Sequence, residues 1–164
     1  MIDPDVRPAV PDDGPQLAWL EAEARTAVAG LRGGPRWLAT HPARGQEWTS
    51  PEWMSPEWMS ADGSDGTGPA STESVFVAHI GAVAVGYLVL TITGPIAVVD
   101  DVYVTPDARE LGFGDALLAA AVERARTAGC ELLEGASLPG DRDTKNLYER
   151  AGIKARLITV STPL

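Results

Sequence analysis

The sequence predicts an α/β fold with a mixed, mostly antiparallel central sheet and helices on both of its faces. Three observations lead to this prediction. The β-rich runs "SVFVAHI", "VAVGYLVLTIT" and "GPIAVVDDVYVTP" follow one another across short turns, which is typical of an antiparallel meander. The run "GDALLAAAVERARTAG" then has its apolar residues at helical spacing. After it, strand and helix patterns alternate to the end of the chain.

The first part of the chain contains one strand and two helices. "DVRPAV" alternates apolar residues and carries a proline, which favours a short edge strand. Leu17, Leu20 and Ala24 recur at spacings of three and four and predict a helix with one apolar stripe. "PRWLATH" predicts a second, short helix.

The last part of the chain predicts a strand, a helix and a closing strand. "CELLEGAS" has a strand pattern, and "DRDTKNLYERAG" predicts a short helix that begins at an aspartate and ends at Gly152. "IKARLITVS" predicts a final strand. The predicted order is therefore β, α, α, long loop, β, β, β, α, β, α, β.

Residues 1–164 are expected to form a single domain with a flexible loop insertion at 43–74. This segment is rich in Ser, Gly, Pro and Asp and repeats "PEWMS" in tandem, so it lacks the apolar surface of a core element. It also carries Trp48, Trp53 and Trp58, which a fully solvated linker seldom does. Two interpretations stay open: a partly ordered loop pinned by its indoles, which we favour, or a lid beside a binding cleft.

Composition excludes several classes of function. The formal net charge of −10 argues against nucleic acid, whose phosphates require a basic surface. No apolar run reaches membrane-spanning length, so we expect no membrane partner and a cytoplasmic location. Cys130 is the single cysteine and is expected to be a small buried apolar residue. His41 and His79 are isolated from other ligand types, so no metal site is expected.

A glycine turn separates the third meander strand from the following helix. The stretch "VYVTPDARELGFGDALL" places Arg109, Gly112 and Gly114 where backbone N–H groups at a helix start can converge on a phosphate. A dinucleotide fingerprint is a weak alternative, because a third glycine is missing.

"RELGFG" is similar to the R/Q-x-x-G-x-G/A signature of the GNAT family of N-acetyltransferases. The preceding "VYV" strand, the later "LYERAGI" stretch and the opening "VRPAVPDD" also resemble that family, and the likeness covers most of the chain outside residues 43–74. The resemblance implies a GNAT-like fold and acetyl-coenzyme A as the acyl donor. It assigns coenzyme binding to the turn, to the backbone of the strand before it and to two later positions: Arg109, Glu110, Leu111, Gly112, Phe113, Gly114, Asp115, Val102, Tyr103, Val104, Asp141 and Lys145. The family often has asparagine where this chain has Asp141.

Acetyl transfer to an amine requires a base, because an amine with a pKa of about 10 is protonated at neutral pH. Asp100 and Asp101 are adjacent carboxylates in an apolar strand and are similar to the acidic pair of diamine acetyltransferases. We favour Asp100 as the base and Asp101 as an amine-binding group. Strand alternation sends the two side chains to opposite faces unless a bulge intervenes. Tyr148 falls at the family's general-acid tyrosine and is expected to protonate the leaving thiolate.

The sequence therefore predicts an N-acetyltransferase that acts by direct attack in a ternary complex on a primary amine of a polyamine, amino sugar or amino acid. Two alternatives remain: a non-catalytic acyl-coenzyme A-binding module, and an enzyme that acetylates protein lysines or N-termini. The resemblance also suggests a homodimer.

Overall fold

The computed structural model describes residues 3–50, 54, 60–61 and 70–162. Within these ranges ten helices and strands follow one another: β1 (Asp5–Pro8), α1 (Gly14–Ala29), α2 (Gly34–Thr40), β2 (Ser60–Ala61), β3 (Ser71–Ile80), β4 (Val83–Thr93), β5 (Ile96–Val104), α3 (Phe113–Thr127), β6 (Leu132–Gly135) and α4 (Arg142–Arg150). Short 3₁₀ turns lie at Pro11–Asp13, Gly45–Thr49 and Pro106–Ala108.

The strands form one open sheet in the order β1-β3-β4-β5-β6, with β2 paired to β3. Neighbouring strands are antiparallel except β5 and β6, which are parallel because α3 crosses between them. The predicted meander is β3–β4–β5, joined by short turns at 81–82 and 94–95. The predicted fold class, a mixed and mostly antiparallel sheet, is confirmed.

Helices cover both faces of this sheet. On one face α1 places Leu17 and Leu20 against Val77, Tyr87 and other strand residues. On the other face α3 and α4 pack their apolar residues on the alternate positions of the same strands. Leu17, Leu20 and Ala24, which predicted an apolar stripe from their spacing of three and four, are all buried in α1.

A β-bulge at Asp100 changes which face β5 presents. Val89 of β4 pairs with Asp101 and Leu90 pairs with Val99, so Asp100 is an extra residue without a partner in this ladder. Ala97 and Val99 pack on the α3 side. Without the bulge, two-residue alternation would place Tyr103 on that side as well, but Tyr103 packs on the α1 side.

The parallel pairing of β5 with β6 ends early. It joins Ile96–Val99 of β5 to Leu132–Gly135 of β6, and β5 then continues through residues 100–104. No described strand pairs with these five residues on the β6 side. The β5–β6 pairing therefore ends at Val99 and Gly135, and we call this place the splay: beyond it the edge of β5 has no described partner strand.

The loop expected at 43–74 is described only in part. Within it, residues 45–49 form a 3₁₀ turn with Trp48 only 1% exposed, and β3 begins at Ser71. The remainder of that segment, including Trp53 and Trp58, lies mostly outside the described residues. The final strand expected from "IKARLITVS" does not form: residues 153–162 have no regular secondary structure, and Leu157 is 86% exposed. No helix in the described ranges is long and apolar enough to cross a membrane.

Candidate active site

The splay between β5 and β6 has a tyrosine at its apex. Tyr148 of α4 is buried, and its phenol oxygen lies so close to Gly135 that a Cβ atom on this glycine would be 2.3 Å away. Gly135 is the last residue of β6 and the partner of Val99, so the hydroxyl lies where the two strands part. Glycine is needed at position 135 because any side chain would displace the phenol.

The aspartate pair lies on the α1 side of the same splay. Asp101 accepts a 2.5 Å hydrogen bond from the Tyr87 hydroxyl, and Asp100 accepts one of 2.5 Å from Thr91. Tyr87 and Thr91 are four residues apart in β4 and therefore share a face. Both carboxylates consequently face α1, which corrects the expectation that they point to opposite faces. The bulge at Asp100 is the physical cause, because it interrupts the two-residue alternation.

Burial alters the ionisation of these groups. It raises the pKa of Asp101, although the hydrogen bond from Tyr87 acts in the opposite direction. Asp100 is exposed overall, yet the protein atoms around its carboxylate partly desolvate it and raise its pKa, against the hydrogen bond from Thr91. The pKa of Tyr148 is raised by burial and then by the nearby charge of Asp101. A raised carboxyl pKa suits a base that works near neutral pH, and a raised phenol pKa keeps that proton in place until a partner forms.

The turn before α3 holds unpaired backbone donors. Gly112 has φ +89° and Glu110 has φ +65°, a left-handed conformation that favours glycine. No backbone carbonyl in the described ranges accepts a hydrogen bond from the N–H groups of residues 110–115. Gly114 lies in the first turn of α3, where a Cβ would meet the Leu147 side chain at 3.4 Å, an ordinary contact distance.

Several side chains predicted to bind coenzyme have structural partners. Arg109 donates to the Val104 carbonyl at 3.1 Å and forms an ion pair with Asp143 at 2.9 Å. Asp115 forms an ion pair with Arg150 at 3.0 Å, which offsets its negative charge beside the turn.

Phe113 is fully buried in the core, so only its backbone faces the turn. Tyr103 also packs in the interior, on the α1 side, whereas Leu111 is exposed. Val102 packs partly buried against the α3 core.

The two coenzyme-binding positions predicted later in the chain, Asp141 and Lys145, have different surroundings. Asp141 is the N-cap of α4 and accepts from the Thr144 N–H at 3.0 Å, so its carboxylate is used for capping. Lys145 forms an ion pair with Glu149 and lines a cavity of about 790 Å³ between the α1–α2 loop and α4.

This cavity carries three cations, of which Arg32 was not expected from the sequence. Arg32 comes from the α1–α2 loop, and Arg142 lies beside Lys145 on α4. Elsewhere on α4, Leu147 packs beside Gly114 and Arg150 forms an ion pair with Asp115, both in the first turn of α3. Arg32 lies in a glycine-rich loop far from α4 in sequence, and no local pattern connects the two.

The turn at residues 44–49 was also missed as part of the site. Its Trp48 packs edge-on against Tyr87, with ring centroids 6.3 Å apart. Arg44 lies over the Trp48 ring and forms an ion pair with Glu73 of β3. The three tryptophans of the segment were the available sequence signal, but nothing local showed where Trp48 would pack.

The two histidines have ordinary surroundings. His79 is buried next to the Arg7–Asp13 ion pair, and His41 stacks on Trp37 with ring centroids 4.4 Å apart. Within the described part of the chain, no group of three His, Cys, Asp or Glu side chains has the arrangement of a metal site.

Comparison with known proteins relates this architecture to one family. The model of the Acetyltransferase (GNAT) family matches residues 37–153, which is most of the chain. The chain belongs to the GNAT acetyltransferase family. A search of curated protein sequences finds no match.

Solved structures share the whole fold. The ribosomal-protein-alanine N-acetyltransferase from Brucella melitensis biovar Abortus 2308 has a TM-score of 0.66 and 16% identity, over 99% of this chain and 100% of that chain. AAC(6')-Iy in complex with the bisubstrate analogue CoA-S-monomethyl-acetylneamine has a TM-score of 0.63 and 16% identity over the same shares. A transcriptional regulator from Bacillus halodurans C-125 has a TM-score of 0.63 and 21% identity, again over 99% of this chain and 100% of that chain.

Membership in the family identifies the protein as an acyl-coenzyme A-dependent N-acetyltransferase. In this GNAT protein the glycine turn, the splay and the tyrosine at its apex lie on consecutive elements from β5 to α4. The acceptor and the roles of individual residues are a separate question.

Proposed function

We propose that this GNAT enzyme transfers the acetyl group of acetyl-coenzyme A to a primary amine of a small molecule by direct attack in a ternary complex. One observation carries the proposal. At the splay, the Asp100–Asp101 pair lies on the α1 side of the sheet, and Tyr148 packs among the α3 and α4 residues on the other side. A reactant held between the strands therefore meets a base from one side and a proton donor from the other.

The residues present fit the anionic donor. The N–H groups of residues 110–115 and the start of the α3 dipole favour a pyrophosphate, in spite of the acidic net charge. Arg32, Arg142 and Lys145 surround the adjoining cavity and offer cations for a further phosphate. The unpaired edge of residues 102–104 offers backbone groups for a pantetheine arm, except the Val104 carbonyl, which already accepts from Arg109.

Bound acetyl-coenzyme A supplies the activated acetyl thioester. A carboxylate of the Asp100–Asp101 pair takes a proton from the ammonium group, and the other carboxylate holds the amine in place. The amine nitrogen then forms a bond to the acetyl carbonyl carbon, the carbon–sulfur bond breaks, and the nitrogen releases its second proton to solvent. Tyr148 donates its phenol hydrogen to the departing sulfur. The phenol is protonated at neutral pH, and burial keeps its pKa above the usual value, so the hydrogen is present when negative charge develops on the sulfur.

The acceptor class is proposed from charge and space. Four carboxylates, those of Glu21, Glu73, Asp100 and Asp101, lie near one another on the α1 side, with Arg44 as a nearby cation. This balance favours a cationic small amine. AAC(6')-Iy in its complex with an acetylneamine analogue has a comparable fold, and so does a ribosomal-protein-alanine acetyltransferase. Both small-amine and peptide acceptors therefore belong in the test.

The test is release of free thiol from acetyl-coenzyme A with a panel of polyamines, amino sugars, amino acids, a lysine peptide and an alanine N-terminal peptide. Tyr148→Phe is run beside the wild type, and calorimetry with coenzyme A checks that both bind the donor equally. We expect release with a small amine and a loss of kcat of about 10²-fold in the variant, in the range typical of a lost proton donor.

Release that depends only on a peptide would replace the small-amine acceptor with a protein one. An undiminished kcat in Tyr148→Phe would remove the tyrosine from the mechanism. Coenzyme binding without release for any acceptor would favour the non-catalytic binding module.

A further inference from the structure

A continuous set of contacts leads from Asp101 into the α1 side of the molecule. The Tyr87 hydroxyl donates to Asp101, the Tyr87 ring packs against the edge of Trp48, and the Trp48 indole N–H donates to Glu21 at 3.1 Å. Tyr87 and Trp48 are each 1% exposed, so water does not compete for these contacts.

Glu21 is the centre of this arrangement. Besides the indole, its buried carboxylate accepts the N–H of Arg44 at 2.9 Å and the N–H of Gly45 at 2.8 Å. A buried carboxylate that accepts three donors strongly restricts the position of the segment that supplies them. The turn at residues 44–49 is thus fixed to α1, and Trp48 is fixed against Tyr87.

The two aspartates of the pair differ in their surroundings. Asp101 is half-buried and bonded to this fixed tyrosine, whereas Asp100 is exposed and bonded to Thr91 at the end of β4. Asp101 is also the carboxylate with the stronger electrostatic effect on Tyr148 across the splay. A base requires one orientation towards the reacting nitrogen, and the better-fixed carboxylate meets this requirement.

We propose that Asp101 is the general base and that Tyr87 is its positioning residue, held in place by Trp48 and Glu21. This inference rests on the proposed function and reverses the order expected from the sequence, in which Asp100 was the base. Asp100 then binds the amine from the bulge.

Other charged or titratable groups surround Asp101 and come from several elements. They are Glu21 and Arg25 of α1, Tyr87 of β4, Arg44 of the fixed turn, Asp100 of β5 and Tyr148 of α4. Removing the Tyr87 hydroxyl leaves all the other groups unchanged. A change in the titration of Asp101 in Tyr87→Phe is therefore attributable to the lost hydrogen bond.

The hydrogen bond from Tyr87 stabilises the carboxylate form of Asp101 and so opposes the effect of burial. Without it the carboxylate binds its proton more tightly, and the group is available as a base only at higher pH. Hydrogen bonds to charged groups are strong enough to move a titration by about one pH unit. This consequence distinguishes a positioning residue from one that only fills space.

The experiment compares Tyr87→Phe with Thr91→Val, which removes the hydroxyl from Asp100 instead. The pH profile of kcat/KM is measured for the best amine, and the side-chain carboxyl of Asp101 is titrated by ¹³C NMR in the same proteins. We expect Tyr87→Phe to move the acid limb and the Asp101 titration upward by about one pH unit and to lower kcat at pH 7 by about ten-fold. Thr91→Val leaves that limb in place. Glu21→Gln removes a negative charge that raises the pKa of Asp101, so we expect it to move the limb downward, opposite to Tyr87→Phe.

Circular dichroism and coenzyme A binding check that each variant is folded. An Asp101 titration and acid limb at their wild-type positions in Tyr87→Phe would overturn the proposal, and so would full activity in Asp101→Asn. If no amine is acetylated by the wild type, the proposed function fails instead. The NMR titration then still tests the contact between Tyr87 and Asp101. A shift of the Asp101 titration in Tyr87→Phe supports this contact, and an unshifted titration overturns it.

Discussion

At the scale of single residues, the site depends on side chains whose partners are distant in sequence. Asp101 is held by Tyr87, and the Tyr148 phenol rests on Gly135. The sequence predicted Asp100 and Asp101 from their place as adjacent carboxylates in an apolar strand, and Tyr148 from the resemblance to the GNAT family. It did not predict Tyr87, because a tyrosine within an apolar strand does not differ from an ordinary core residue until its partner is known.

A second buried polar contact, near the N-terminus, affects stability. Asp13 is buried and accepts two hydrogen bonds from Arg7 at 2.7 and 2.9 Å and one from the Val10 N–H at 2.8 Å. Burial opposes its ionisation, but the bonds from Arg7 and Val10 together hold the pKa of Asp13 below its usual value. The ionised form is therefore the more stable one in the folded protein.

We expect Asp13→Asn to lower the free energy of unfolding at pH 7 by about 1–3 kcal/mol, because Arg7 and the Val10 N–H lose a charged acceptor. The contribution of Asp13 is complete above the unfolded pKa, near 3.9, and is lost as pH falls through the lower folded value. The difference between the two proteins should therefore shrink below about pH 4. Urea unfolding at pH 7 and at pH 3 measures it.

The exposed neighbour provides a control for this prediction. Asp12→Asn removes the same charge without touching the buried bonds. Equal destabilisation by the two substitutions would mean that net charge, not the Arg7 contact, is responsible.

At the scale of elements, β4 and β5 pair closely next to the candidate active site. β4 and β5 are in contact at Gly86, where a Cβ atom would lie 2.7 Å from the Tyr103 carbonyl oxygen. A few residues further on, the bulge at Asp100 turns both aspartates to the α1 side, and the pairing with β6 ends. Close pairing, bulge and splay therefore follow one another along nine residues of β5.

We expect Gly86→Ala to destabilise the protein by about 1–3 kcal/mol, since the added methyl meets a backbone oxygen that cannot rotate away. The free energy of unfolding by urea measures this effect. Gly30→Ala is the matched control, because a Cβ there has only one neighbour, at 3.8 Å. The explanation fails if the two alanine variants are equally stable.

At the scale of the whole molecule, the proposed binding of an anionic acyl donor to an acidic protein requires a local concentration of cations and N–H groups. The chain has a net charge of −10, yet the cavity beside α4 is lined by Arg32, Arg142 and Lys145. These residues come from opposite ends of the sequence, so the local charge depends on the folded arrangement. Binding to the folded form alone stabilises it by mass action.

We expect coenzyme A at about one hundred times its Kd to stabilise the protein by about 2.7 kcal/mol, which corresponds to a rise in Tm of about 5–10 °C. Arg142→Gln should reduce this rise at the same coenzyme concentration. Arg126→Gln, an exposed arginine of α3 outside the cavity, should not. Differential scanning calorimetry measures both. Equal responses of the two variants would exclude the cavity from coenzyme binding.

The sequence by itself determined the order of most elements, the turn before α3 and the identity of its catalytic candidates. These features are local: apolar spacing, a left-handed position at Gly112 and a proton-bearing residue can be recognised in short windows. The expected final strand from residue 153 shows the limit of local evidence, because strand propensity does not supply a pairing partner.

Only the tertiary structure decided the direction of the aspartate pair and the surroundings of Asp101. The bulge at Asp100 arises from the pairing of two strands and is not visible in either strand alone. Glu21, Trp48 and Tyr87 are separated by dozens of residues, and packing brings them into one set of contacts. Long-range pairing and burial create the environment of the site, whereas the sequence supplies its chemical groups.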